Sequence, residues 1–213
     1  MKKIAIFGGG GHGKVCASIA EELGYSVLFF DDAYPKVNSC GKWQVVGNKA
    51  HLKNSVTDFE FSFVAIGNNS IRATIQNELE GFGLAMVNLI SPTASIHKSV
   101  ELGKGILIVG NVCINIDSTI ADGCIVNTNA AIDHDCKLGR YSHFCPGVSL
   151  AGEVTVGEQS WVGIGSSVIQ QISIGSNVMI GAGTSVIKNI PNNATVVGCP
   201  GRILNKHHLK KVV

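Results

Sequence analysis

From Ile96 to Val186 every sixth residue is large and apolar. The series runs Ile96, Leu102, Ile108, Ile114, Ile120, Val126, Ile132, Leu138, Phe144, Leu150, Val156, Val162, Val168, Ile174, Ile180 and Val186, sixteen positions without a miss. A helix needs a period near 3.6 and a flat strand a period of 2. A strict period of six fits neither. It fits a chain winding round a prism with one short strand on each face, three hexads to a coil. A second register supports this reading. Two residues before each large position stands a mostly small or β-branched residue, such as Val112, Ser118, Cys124, Ala130, Cys136, Ser142, Ser160 and Thr184, so each hexad offers two inward side chains. Gly follows the large residue at 103, 139, 157, 163, 175 and 181, read as points where the chain leaves a corner. The 96 residues of the repeat make about five coils with no inserted loop.

Composition agrees. Charged residues make up 15% of the 213, and Gly contributes 26, which suits tight corners and buried faces. A net charge of +2 gives no broad nucleic-acid footprint. The seven Cys form no C-x-x-C pair and are odd in number, and Cys124 and Cys136 fall in the small inward register as core fillers. This is the cysteine usage of a reducing compartment. The opening M-K-K-I-A-I-F is too short an apolar stretch for a signal peptide or a spanning helix, so the expectation is a cytoplasmic protein without membrane insertion.

Residues 1–90 have a different grammar. Lys3 to Phe7 reads as a strand, Gly8 to Gly13 as a turn, Lys14 to Leu23 as a helix ended by Gly24, and Ser26 to Phe30 as a second strand. Phe61 to Ile66 and Leu84 to Leu89 read as further strands flanking a helix at Ile71 to Leu79. The order β-α-β-β-α-β predicts a small Rossmann-like α/β domain with a parallel sheet. Ser91-Pro92 marks the hinge into the repeat over 91–190, and the turn Asn189 to Asn193 stops the coils. A tail over 191–213 carries a basic cluster at Lys206, His207, His208, Lys210 and Lys211.

Two places carry chemistry. Gly8-x-Gly10-x-x-Gly13 lies between strand and helix, where glycine lets a phosphate approach the backbone and free N–H groups face the anion. Asp31 or Asp32, at the end of the second strand, can accept from a ribose hydroxyl. A domain of this size holds one half of a dinucleotide fold, which suits a mononucleotide or nucleotide sugar; a Gly-rich turn without ligand is the alternative. The second place is Ile132-Asp133-His134-Asp135-Cys136. His134 follows an inward residue and points outward, and an adjacent carboxylate can hold its tautomer and raise its basicity. Ile164 and Ala182, eighteen residues apart, stack in one line along which an extended ligand arm can lie.

The chain resembles the hexapeptide-repeat acyltransferases. The runs Ile6 to Val15, Phe30-Asp31-Asp32, Ala65 to Asn69 and Val197-Gly198-Cys199-Pro200-Gly201-Arg202 narrow the similarity to the sugar O-/N-acyltransferase family. Its members include sialic acid O-acetyltransferases and the UDP-N-acetylbacillosamine and perosamine N-acetyltransferases. The resemblance implies a left-handed parallel β-helix, although parallel crossovers are ordinarily right-handed. It also implies acetyl-CoA as co-substrate, no metal, and a homotrimer with the site between adjacent subunits. By that resemblance Gly10, Gly11, His12, Asp31, Asp32, Ile66 and Asn69 bind a UDP-linked amino sugar of the bacillosamine type. His134 is the general base. The acid after it, usually Glu in the family, is Asp135 here, which leaves open whether Asp133 or Asp135 orients the ring. His143, Gly152, Ile164 and Ala182 contact acetyl-CoA, Gly152 through its N–H, and Asn127 lines the same cleft.

The expected function is therefore acetyl-CoA-dependent N-acetylation of a UDP-amino sugar for surface or protein glycans. O-acetylation of a sialic acid or related sugar is the rival within the fold. A zinc site built from His97, His134 and His143, and a non-enzymatic nucleotide-sugar-binding scaffold, are readings of other classes.

Overall fold

The structure, a computed structural model, describes residues 2–204, so the basic cluster from Lys206 to Lys211 lies outside the described residues. The chain forms two compact units, Met1–Pro92 with Lys104–Leu107, and Thr93–Gly103 with Ile108–Val213.

The first unit is a five-stranded sheet with helices. Strand β1 (Lys2–Phe7) leads through a Gly-rich turn into α1 (Gly11–Glu22) and then β2 (Tyr25–Phe30). A hairpin follows, β3 (Ser39–Cys40) and β4 (Trp43–Gly47), then a short α2 (Lys49–Asn54), β5 (Phe61–Val64) and α3 (Asn69–Gly81). The sheet order is β3-β4-β2-β1-β5, parallel except for the hairpin. Buried Ala5, Phe7, Phe30, Leu52, Val64, Ile75, Leu79 and Leu84 form one core cluster in this unit. Gly24, at φ +84°, ends α1 as expected, with its N–H on Glu21 O.

Three details depart from the expectation. Helix α1 begins at Gly11, not Lys14, so His12 stands in the first helical turn. Gly11 and Gly13 cost the helix only about 1 kcal/mol each in backbone entropy, which does not prevent the start. The span 31–60 holds a hairpin and a helix that apolar periodicity alone did not mark. Gly41 at φ +64° makes the turn, and Asn48 caps α2 by accepting from His51 N–H at 3.1 Å. Leu84–Leu89 is not a regular strand. It pairs with β5 only around Ser62, whose N–H reaches Ala85 O, while Leu89 N–H turns to Ile106 O.

The second unit is the left-handed parallel β-helix. Two-residue strands succeed one another every six residues from Ser95–Ile96 to Ser185–Val186. Each strand pairs in parallel with the one eighteen residues later, as Ala131↔Ser149 and Ile132↔Leu150 show. The strands therefore fall on three faces. From Ile114 onward the large hexad residues are at most 3% exposed. The small register is buried too, and its polar members are satisfied. Ser118 Oγ donates to Asp133 O at 2.7 Å and accepts from Cys136 N–H at 3.0 Å, and Ser160 and Ser166 donate to the carbonyls of Gly175 and Gly181.

A third register went unread in the sequence. Gly105, Asn111, Asp117, Gly123, Asn129, Asp135, Tyr141, Gly147, Glu153, Gln159, Gly165, Gln171, Asn177 and Gly183 all have positive φ. Each corner turns through the left-handed region, and Gly, Asn and Asp are the residues that enter it at least cost. The glycines after the large residues do different work, and they stand where the chain enters a corner, not where it leaves one. A Cβ on Gly139 would lie 2.6 Å from Glu158 N in the next coil. The turn at 189–193 does not end the pairing, because Thr195–Val197 adds to the face of Met179–Ile180 and receives Arg202–Ile203 antiparallel.

These two kinds of glycine separate in a stability measurement. Gly139→Ala should cost about 1–3 kcal/mol by forcing coils apart. Gly165→Asn, at φ +65° with nothing within 4 Å of its Cβ, should stay within about 0.5 kcal/mol of the native protein in a urea titration.

Candidate functional site

In the first unit the Gly-rich turn opens on a cavity of about 390 Å³ lined by Phe7, Gly8, Gly10, Gly11, His12, Asp31, Asp32, Ala65, Ile66, Gly67, Ile71 and Ile75. Its glycines divide by what a side chain would meet. Gly8, at φ +112°, would drive a Cβ to 2.8 Å from Ala65 O, and Gly13 would press on Gly8 O and Phe29. Both serve the packing of turn against sheet. A Cβ on Gly10 or Gly11 meets nothing within 4 Å, so their bareness leaves room in the cavity, where the uncapped N–H groups of α1 begin.

The two aspartates also divide. Asp31 Oδ2 accepts from Gly9 N–H and Oδ1 from Ala33 N–H, both at 2.8 Å, which pins the turn to the end of β2. Asp32 is exposed and accepts from Lys49 N–H through Oδ1 at 3.2 Å. Of the pair, Asp32 is the more available to a ligand. His12 is held neutral, its pKa lowered to about 4 by burial and then by the Arg72 guanidinium. Asn69 is among the expected contacts but does not line the cavity. It is 8% exposed, and its Oδ1 accepts from Arg72 Nη2 at 2.8 Å. Arg72 itself was not anticipated, because a charged residue inside a helical pattern reads as solvent-facing.

In the second unit His134 stands at the corner after the strand Ala131–Ile132. Its Nδ1 lies 2.8 Å from Asp135 Oδ2. Asp133 is engaged elsewhere: its Oδ1 accepts from the His134 backbone N–H at 2.8 Å and from Asn115 Nδ2, one coil earlier, at 2.9 Å. The acid that holds the ring is thus Asp135, despite its short side chain. Its left-handed backbone, φ +58°, swings the carboxylate back toward the preceding residue. The bond to Asp135 raises the His134 pKa; desolvation opposes it, and the charges of Asp133, Asp135 and Glu153 add smaller rises. Asp133 is held below the usual carboxylate range by Asn115 and the His134 N–H. With Nδ1 on Asp135, Nε2 is the nitrogen left for chemistry.

Gly152 follows His134 by eighteen residues and belongs to this corner. A Cβ there would collide with Nε2 and Cε1 of His134, so the imidazole lies in the space that the missing side chain leaves. At two other turns of the chain the residue before caps the turn N–H: Asn127 Oδ1 accepts from Thr128 N–H and Asp133 Oδ1 from His134 N–H. Ala151 has no acceptor to offer Gly152.

The other expected acetyl-CoA residues lie elsewhere on the prism. His143 is buried on the outer side of the third face, its ring 4.2 Å from that of Trp161 and its Nε2 3.4 Å from Asn127 Nδ2. Ile164 and Ala182 stand at the corner that follows that face. They do stack, since Gly183 N–H bonds Ile164 O, and Ile164 is 56% exposed. Within one chain this corner and the His134 corner are not brought together. Nor do the three histidines converge: His97 is two coils before Asp133 on its corner and bonds Ser99 Oγ at 2.9 Å. Among the described residues no group of three His, Cys, Asp or Glu side chains is arranged to hold a metal ion, and no helix is long and apolar enough to cross a membrane.

Comparison with known proteins agrees with this architecture. The PglD N-terminal domain family matches residues 3–79. PerB from Caulobacter crescentus, solved in complex with CoA and GDP-perosamine, superposes with a TM-score of 0.91 at 36% identity, covering 96% of this chain and 98% of that one. The acetyltransferase domain of PglB from Neisseria gonorrhoeae, in complex with acetyl coenzyme A, gives 0.90 at 37% identity over 95% of this chain and 99% of that one. A UDP-N-acetylbacillosamine N-acetyltransferase of Bacillus subtilis is 37% identical over 114 residues, 51% of this chain and 52% of the relative. With a Gly-rich α/β unit, an unbroken hexad helix and 36% identity over nearly all of both chains, the protein belongs to the hexapeptide-repeat sugar O-/N-acyltransferase family.

Proposed function

We propose that the protein is an acetyl-CoA-dependent N-acetyltransferase acting on the amino group of a nucleotide-linked amino sugar, with His134 as general base. The observation that carries this is the His134–Asp135 pair, an exposed imidazole whose Nδ1 is held at 2.8 Å and whose pKa is raised. Acyl transfer from a thioester to an amine forms a C–N bond and breaks a C–S bond. The amine nitrogen attacks the thioester carbonyl while Nε2 of His134 takes its proton. The imidazolium, steadied by Asp135, then supplies a proton to the departing thiolate, which leaves as free CoA. The Gly152 N–H, with no cap from Ala151, is the donor we assign to the thioester oxygen as negative charge develops.

In the α/β unit Gly10, Gly11, His12 and Asp32 line the cavity assigned to the nucleotide sugar, Ile66 forms its wall, and Asp31 and Asn69 support it. The UDP-linked acceptor of bacillosamine type is one of two readings of the substrate. The relative solved with GDP-perosamine aligns over nearly the whole chain and favours a GDP-linked amino sugar of the perosamine type at least as strongly. Release of CoA thiol with a panel of UDP- and GDP-linked amino and hydroxy sugars separates these, and hydroxy sugars turning over fastest would overturn N-acetylation.

The separation of the His134 corner from Asn127, His143, Ile164 and Ala182 supports a homotrimer. In it one subunit would present the base and its neighbour the face that holds acetyl-CoA. Sedimentation of a fully active monomer at micromolar concentration would refute it.

His134→Ala should lower kcat/KM by about 10²–10⁴-fold while the coil stays folded, since the ring lies outside the packed interior. The base works only when neutral, so activity falls as pH drops through the raised His134 pKa. Asp135→Asn removes the cause of that elevation, and the acidic limb of the pH–rate profile should move to lower pH with a reduced plateau. An acidic limb unmoved in Asp135→Asn, or still present in His134→Ala, would assign the base elsewhere. Gly11→Val fills open cavity space without touching the fold, so KM for the sugar nucleotide should rise far more than KM for acetyl-CoA.

A further inference from the structure

Arg72 is 1% exposed, and among the described residues no larger side chain is so fully buried. It lies one turn into α3, on the face turned to the sheet. Nη1 donates to Ile66 O at 3.0 Å and Gly67 O at 2.9 Å, and Nη2 donates to Asn69 Oδ1 at 2.8 Å. Ile66 and Gly67 line the same cavity as Gly10, Gly11 and His12. Burying a guanidinium is costly unless its donors are well met, so a fold keeps one where the charge or the fork is needed. A packing residue of similar volume would satisfy a core more cheaply.

We infer that Arg72 is a positioning residue for the diphosphate of the bound nucleotide sugar, its planar fork drawing the Ile66 and Gly67 carbonyls inward so that the strand-end loop meets the anion with backbone N–H groups. The inference rests on the nucleotide-sugar reading of this cavity and extends it to a residue that the ligand need not touch. Several features agree. Two adjacent carbonyls gathered on one guanidinium fix the peptide planes of the loop, and a rigid fork does this where a lysine ammonium cannot. The neighbouring Asn68 closes the same loop from the solvent side, accepting from Ile71 N–H at 3.0 Å and from Ser70 Oγ at 2.9 Å. The Arg72 charge is felt at the cavity wall, as it helps keep His12 neutral. A neutral His12 and a nearby cation suit an anionic ligand seated on the first turn of α1.

The test uses UDP and GDP as probes, by calorimetry with the full-length protein. The native protein should bind at least one of them; if it binds neither, the reading of the cavity itself fails. For the nucleotide that binds, Arg72→Lys keeps the charge and loses the fork, and Kd should rise about 10-fold or more while KM for acetyl-CoA is unchanged. Arg72→Gln should bind more weakly still, and its His12 NMR titration should move to higher pH. Tight binding in either folded variant would overturn the proposal with the cavity reading intact. Should both variants fail to fold, the native protein decides it. The Arg72 Nε–H resonance should shift on adding the nucleotide and stay fixed on adding acetyl-CoA, and no shift would overturn the assignment.

Discussion

Parallel hydrogen bonding between residues eighteen apart is the constraint on which the second unit depends. Each two-residue strand is too short to stand alone. It is held because its N–H and C=O groups meet the coils before and after, as Ala131 N–H does with Val148 O and Asp133 N–H with Leu150 O. Such a stack tolerates no drift in coil length. One residue more or less would move every later side chain out of its column, take hydrophobic side chains off the interior and put left-handed corners on residues that resist them. The hexad, the buried serines and the positive-φ corners are consequences of that requirement.

The same rigidity makes the candidate base possible. His134 sits on a corner whose backbone is bonded above and below, so its direction is set by the coil and not by a mobile loop. The coil before supplies Asn115 to hold Asp133, the residue after supplies the carboxylate for Nδ1, and the coil after leaves a gap at Gly152 for the ring. A histidine with one nitrogen tied to a carboxylate and the other left outward is poised to accept a proton, which an unsupported surface histidine is not. A pKa raised in this way makes a stronger base at the cost of a smaller neutral fraction in mild acid.

The α/β unit uses its glycines in a comparable way. Two of them serve close packing of turn, strand and helix, and two leave space before the start of α1. Asp31 is consumed in holding that turn, and Arg72 gathers the loop of Ile66 and Gly67. The unit thus offers backbone N–H groups to a cavity whose loop is held from behind by a buried cation, the arrangement on which the phosphate reading rests.

Much of this was legible in the residues. The hexad from Ile96 to Val186 specified the helical prism, because an inward side chain recurs wherever a fixed coil closes. The Gly-rich turn and the Asp133-His134-Asp135 run stood out because those residue types are unusual at their positions. The hairpin at 39–47 escaped because its strands are short and half exposed, and periodicity has little to grip there. The corner register, mostly Gly, Asn and Asp but also Tyr141, Glu153, Gln159 and Gln171, was present in the sequence, but its meaning depends on φ, which composition does not display. Other matters were decided only by tertiary structure. Whether Asp133 or Asp135 holds His134 turned on the left-handed backbone at 135 and on Asn115, eighteen residues away from Asp133 in the chain. That Asn69 faces Arg72, and that Gly152 belongs to His134, are likewise contacts between segments distant in the chain. Spacing along the sequence determines which column a residue joins; the folded backbone determines which neighbour its side chain meets.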